Sequence, residues 1–164
     1  MSIVDDVLRA NERYADAFSQ GSLPVRPAKA LAVVTCKDAR LMPEQFLGLG
    51  AGDAHVFRNA GGIVTDDALR SLIISHKLLG TRTFFVINHT GCGLLTLDEG
   101  ALRKQLADET GVDASGIEFH SFKDLEANVR RQVAKITGHP FLASIDGVYG
   151  FVYDVKNGRL RQVA

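Results

Sequence analysis

Three short stretches of this 164-residue chain concentrate residue types that bind metals or move protons. Cys36, Asp38 and Arg40 alternate along Ala30–Arg40 (ALAVVTCKDAR), Arg58 leads into Asn59-Ala60-Gly61-Gly62, and His89 stands three residues before Cys92. Two thiols and one imidazole make a three-ligand zinc set with the fourth position open, which is the catalytic kind of zinc site. In an extended chain residues i and i+2 point the same way, so Asp38 shares the side of Cys36 while Lys37 points away. Asp38 is therefore a candidate fourth ligand, closing the site, or an acceptor for a metal-bound water. Arg40 can hold that carboxylate through its fork of donors and so decide between the two roles. The turn at Asn59–Gly62 offers N–H groups to an anion, which makes Gly61 a candidate substrate contact.

Each cluster is delivered by a run that reads as a strand. Ala30–Thr35 and Thr83–Asn88 are apolar without alternation, the pattern of strands buried on both faces, and Ala54–Arg58 is a third. Glu44–Leu49 is a short helical piece after Pro43. Thr65 caps a helix with Asp66 and Asp67 in its first turn and Leu69, Leu72, Ile73 and Leu79 as its buried stripe, ending at Gly80. Thr96 with Glu99, and Ser121 with Asp124, have capping-box spacing ahead of two further helices, and Gly116–His120 reads as a short strand between them. Lys156-Asn157-Gly158 between Val148–Val155 and Arg159–Val163 signals a hairpin. Strands alternating with helices imply a single-domain α/β fold with a mostly parallel central sheet, flanking helices and an antiparallel C-terminal edge hairpin. If the first and third strands are neighbours, Cys36, His89 and Cys92 converge at the carboxyl end of that sheet, where open α/β folds bind ligands.

Each cluster, taken alone, also occurs for plainer reasons. A strand-ending Cys is commonly a small core hydrophobe, Asp-x-Arg a surface ion pair, and Asn-Ala-Gly-Gly a turn. Their coincidence on three strand ends is what favours a site. His55, His76, His120 and His139 have no partners at ligand spacing and are assigned to structure or surface.

Apolar residues make up 46% of the chain, enough for a proper core. Nineteen basic residues against 19 acidic ones exclude a broad electrostatic grip on nucleic acid or anionic membrane. No apolar run approaches the ~20 residues of a membrane span, and the N-terminus lacks a signal-peptide core, so a cytoplasmic protein is expected. There, two thiols near other ligand types point to metal or catalysis more than to a disulfide. Residues 3–18 form an amphipathic helix with Ile3, Val7, Tyr14 and Phe18 on one side, set off by the linker Gly21–Pro27. Residues 1–27 are thus an arm that either covers its own sheet or reaches a partner.

The blocks Cys36-Lys37-Asp38-Ala39-Arg40, Arg58-Asn59-Ala60-Gly61 and His89-Thr90-Gly91-Cys92-Gly93 resemble the signature of the β-class carbonic anhydrases, most closely the small prokaryotic and archaeal branch. Lys37 stands where family members usually have Ser or Met, and Gly91 where this branch often has Asp. The resemblance implies one zinc per chain on Cys36, His89 and Cys92. It implies hydration of CO₂ to bicarbonate and a proton by zinc-bound hydroxide, with Asp38 and Arg40 as the catalytic pair. It further implies a pH gate in which Asp38 moves between zinc and Arg40. A homodimer or higher homo-oligomer is expected, with the N-terminal helix across the partner and an apolar pocket lined by both chains. The alternatives are a carbonyl sulfide or carbon disulfide hydrolase on the same site, a non-catalytic zinc- or bicarbonate-binding protein, and a redox protein using the two thiols.

Overall fold

The computed structural model describes residues 2–164. Five strands form one sheet: β1 (Leu31–Cys36), β2 (Ala54–Asn59), β3 (Thr83–His89), β4 (Gly147–Tyr153) and β5 (Leu160–Gln162), in the order β2-β1-β3-β4-β5. All pairings are parallel except the antiparallel β4–β5 edge. From β1 the chain steps to one side, to β2, and then returns across β1 to β3 and onward to β4. The connections leaving β1 and β3 therefore diverge, and a crevice opens between their carboxyl ends. The register brings Cys36 level with Asn59 and Thr35 level with Ile87, so the three candidate clusters share one edge of the sheet.

β1 is buried along its whole length because both faces are covered. Ala32, Val34, Phe84, Val86 and Val152 pack under α3 (Asp66–Leu79) and α5 (Leu125–Thr137), while Leu31, Val33 and Ile87 pack on the other face with residues after α2 (Pro43–Phe46). Thr65 caps α3 as its sequence predicts, its hydroxyl accepting from Ala68 N. The other two caps differ. Asp98, not Thr96, caps α4 (Glu99–Thr110), and Asp124 itself caps α5. Glu99 instead turns its carboxylate outward to accept the Ser121 N–H at 2.7 Å.

That bond also accounts for why Gly116–His120 is not a strand. Its backbone is held by α4 side chains, with Arg103 Nε donating to Ile117 O at 2.8 Å, and it joins no strand ladder. The hairpin forms, but with a wider turn than Asn157-Gly158 alone would make. Asp154 organises it, its Oδ1 accepting from Lys156 N and its carbonyl from Gly158 N.

The N-terminal helix α1 (Ile3–Asp16) is fixed by a reciprocal capping box between Ser2 and Asp5. None of its residues is buried. Among the described residues no helix is long and apolar enough to cross a membrane.

Candidate metal centre

Strand β1 ends in Cys36, β3 ends in His89, and a tight loop through Gly91 returns Cys92 to the same spot. The two sulfurs and one ring nitrogen lie within 4.8 Å of one another, all three residues buried. The two cysteines are free thiols. The imidazole is oriented from behind: Nδ1 faces the Thr90 carbonyl at 3.0 Å, and because a carbonyl only accepts, Nδ1 carries the proton. That leaves the Nε2 lone pair aimed into the cluster. Among the described residues it is the one buried side-chain polar atom without a hydrogen-bond partner. Burying such an atom unpaired costs ~1–3 kcal/mol, so an orphan lone pair between two sulfurs fits a bound cation. An S₂N donor set with a fourth direction open suits zinc.

The loop carrying Cys92 is tied to the hairpin. Thr90 N donates to Tyr153 O at 3.0 Å, and the Thr90 hydroxyl both donates to Asp154 Oδ1 and accepts from Val155 N. The thiols themselves sit in an apolar shell of Leu41, Ile63, Phe122 and Leu94. Between the two sulfurs the proton is shared unequally. The neighbouring Cys92 thiol lowers the pKa of Cys36, while that same contact and burial push Cys92 up. The imidazole loses basicity through burial, but the Cys36 sulfur, the Thr90 carbonyl and the Asp38 carboxylate together more than compensate and its pKa is raised.

Asp38 lies at the rim of the cluster, half-buried, its Oδ2 3.7 Å from His89 Nε2. Its carboxylate is gripped by Arg40: Nε donates to Oδ1 at 2.9 Å, Nη2 to Oδ2 at 2.7 Å, and the Arg40 backbone N–H to Oδ1. These bonds hold the Asp38 carboxyl well below the usual carboxylate range. Arg40 is braced in turn by the Gly91 carbonyl at 3.2 Å. Arg58, at the end of β2, donates to the Cys36 and Asp38 carbonyls at 3.1 and 2.7 Å and so splints the segment between them.

Beside the cluster is a pocket of ≈ 320 Å³ lined by Cys36, Asp38, Gly61, Cys92, Leu94 and Leu97 among others. Gly61 thus lines the pocket, but its N–H donates to Cys36 Sγ at 3.3 Å and is not free to bind an anion. Gly61 and Gly62 both have left-handed φ, +80° and +62°. At Gly62 a Cβ would lie 3.0 Å from Cys36 N and from Thr35 C, so the loop can cross the end of β1 only as glycine. Lys37 is exposed at the pocket mouth. The remaining histidines stand apart: His55 bonds Ser75 and His76 the Thr81 carbonyl, His139 accepts from Phe141 N, and His120 is exposed. Sequence reasoning passed over Asn88, buried beside His89, which reaches the Gly61 and Gly62 carbonyls. A polar residue inside an otherwise apolar strand was the available signal.

Fold and donor set together define an α/β protein with a three-donor site suited to a catalytic metal. The carbonic anhydrase family model matches residues 31–160. Beta-carbonic anhydrase 1 of Mycobacterium tuberculosis (strain H37Rv) is 42% identical over 163 residues, covering 99% of each chain. The crystal structure of carbonic anhydrase from Streptococcus mutans superposes with a TM-score of 0.93 at 42% identity, covering 100% of this chain and 99% of that one. A carbon disulfide hydrolase of Acidithiobacillus thiooxidans is 32% identical over 153 residues, 81% of this chain and 76% of the relative. The chain belongs to the β-carbonic anhydrase family and is a lyase of the carbonate dehydratase type.

Proposed function

We propose that this enzyme catalyses the reversible hydration of CO₂ to bicarbonate and a proton, with one zinc per chain held by Cys36, His89 and Cys92. The observation that carries the reading is the unpartnered His89 Nε2, gathered with two sulfurs beside the Asp38 carboxylate at the wall of a small, partly apolar pocket. Bound there, zinc supplies a Lewis acid that lowers the pKa of water to about 7.

The chain's own residues do the rest. Asp38 accepts a hydrogen bond from the attacking oxygen and orients its lone pair toward the substrate carbon. Arg40 keeps the Asp38 carboxylate turned aside, so the fourth position stays open. Leu94, Leu97 and the Gly61 backbone form a surface against which an uncharged, linear substrate packs, while bicarbonate, charged and hydrated, leaves it readily. The short distance from Asp38 to His89 supports a gate: with the carboxylate turned inward the position is closed, and with it on Arg40 the position is open. Hydroxide gains on carboxylate as pH rises, so activity rises with pH through the neutral range. The enzyme acts in the cytoplasm as a homodimer, the apolar face of α1 lying across its partner.

A CO₂-hydration assay across pH on metal-analysed protein, with Cys36→Ala as control, tests the reading. Zinc near one per chain, activity rising through about pH 7, and loss of both in the variant are expected. Activity unaffected by Cys36→Ala would refute it. The kinship with carbon disulfide hydrolases keeps one rival in view, and sulfide release from carbon disulfide exceeding CO₂ turnover would select it.

A further inference from the structure

Behind the Cys36 side of the centre, away from the pocket, runs a buried chain of side-chain amides. Asn88, Asn128 and Gln132 are each at most 2% exposed, yet all their bonds point in one direction. At the outer end Arg131 Nη2 donates to Asn128 Oδ1 at 2.6 Å, and Gln132 Nε2 donates to the same oxygen at 2.9 Å. A guanidinium has no acceptor, so the Asn128 atom facing it must be the oxygen. Asn128 Nδ2 then donates to Asn88 Oδ1 at 2.8 Å, which leaves Asn88 Nδ2 to donate to the carbonyls of Gly61 and Gly62 at 2.9 and 3.2 Å. Gln132 Oε1 meanwhile accepts from Val64 N at 2.9 Å, pinning the far end of the same loop.

The loop so pinned is the one whose Gly61 N–H donates to Cys36 Sγ. Two consecutive left-handed glycines would by themselves leave that N–H free to wander. We infer that Asn88, backed by Asn128 and Gln132, is a positioning residue that holds the Gly61 N–H on the Cys36 sulfur and thereby tempers that thiolate as a metal ligand. The inference rests on the metal-centre reading proposed above. An N–H···S bond draws charge from the thiolate, and partners behind a ligand shift metal affinity by roughly 10–100-fold. The polarity set at Arg131, on the surface of α5, thus reaches a sulfur at the end of β1 through two side-chain amides, Asn128 and Asn88, and the backbone of Gly61.

The test uses the full-length protein loaded with ¹¹³Cd, recording ¹H–¹¹³Cd correlations, which detect scalar coupling across N–H···S–Cd. Wild type is expected to show a cross-peak from the Gly61 amide. Asn88→Ala is expected to lose it while still binding one cadmium, and Asn128→Ala to weaken it. Ser75→Ala, which breaks a buried polar cluster with His55 and Thr81 toward the C-terminal end of α3, is expected to lower Tm and leave the cross-peak intact. Should Asn88→Ala fail to fold, Asn128→Ala decides the matter by the same cross-peak. A cadmium-loaded wild type without the Gly61 cross-peak, or a variant of Asn88 or Asn128 that keeps it at full strength, overturns the inference alone. Failure of wild type to bind cadmium through its thiols overturns the metal-centre reading instead.

Discussion

The metal centre and the N-terminal arm use apolar surface in opposite ways. Cys36, His89 and Cys92 are 5%, 0% and 5% exposed, and nearly every polar atom around them is bonded to something fixed behind it. On α1, Ile3, Val7 and Tyr14 are 76%, 58% and 60% exposed although the helix is well capped and amphipathic. The centre is completed by contacts within the chain; the arm has a finished backbone and an unfinished surface. Local capping makes a helix, but only burial gives its apolar face a purpose, at ~1.5–3 kcal/mol for each large side chain.

Breaking the centre has the largest expected effect. Cys36→Ala removes a ligand at the end of a strand without disturbing the sheet, so zinc content and CO₂ hydration should both vanish while the far-UV circular dichroism spectrum is unchanged. On the arm, Val7→Asp with Leu8→Asp should halve the hydrodynamic mass in analytical ultracentrifugation, because two charges replace side chains worth ~1.5–3 kcal/mol each when buried. A pair of substitutions that left the dimer intact would show that the arm is not the contact.

Arg40→Ala sits between the two regions in effect. It leaves the three donors in place but frees Asp38, and activity should fall by roughly 10–100-fold. The direction with pH follows from the charges. Without Arg40 the carboxylate remains ionised at neutral pH and competes with hydroxide, so the loss is greatest at lower pH and the activity profile moves upward.

Smallest is Glu99→Gln. The Ser121 N–H and hydroxyl, with Arg103 assisting, hold Glu99 down to about 2 from an ordinary 4.5. A depressed carboxyl stabilises the fold above its unfolded pKa and loses that contribution as pH falls through the folded value. The Tm difference between wild type and variant should therefore be present at neutral pH and shrink in acid below the ordinary Glu pKa. A difference that persists unchanged in acid would show that shape, not charge, holds the loop after α4.

What the chain discloses before it folds follows the same division. The three parallel strands and the cluster at their ends were legible, because an uninterrupted apolar run that stops at Cys36 or at His89 is what a doubly covered strand ending at a site must look like. The adjacency of β1 and β3 had to be assumed, since strand order is decided by crossovers that no local pattern records. The caps at Asp98 and Asp124 lie two and three residues beyond Thr96 and Ser121, because Thr96 turns its hydroxyl back to the Gly93 carbonyl and Ser121 N–H is taken by Glu99. The strand expected at Gly116–His120 failed because its partners are the side chains of Arg103 and Glu99, which lie distant in sequence. Asn88 was missed for a related reason: a buried amide is intelligible only once the carbonyls it serves are in place.

Gly62 carries a consequence for variation. With a Cβ only 2.8 Å from Asn88 Nδ2 and 3.0 Å from two backbone atoms of β1, the position admits one residue type. In a saturation library selected for metal retention, Gly62 should return glycine alone, whereas Gly91, with open space where its Cβ would stand, should return asparagine and aspartate as well. Two glycines of similar φ, on loops flanking one site, would thus leave opposite records in a population of sequences: one silent, the other free to drift.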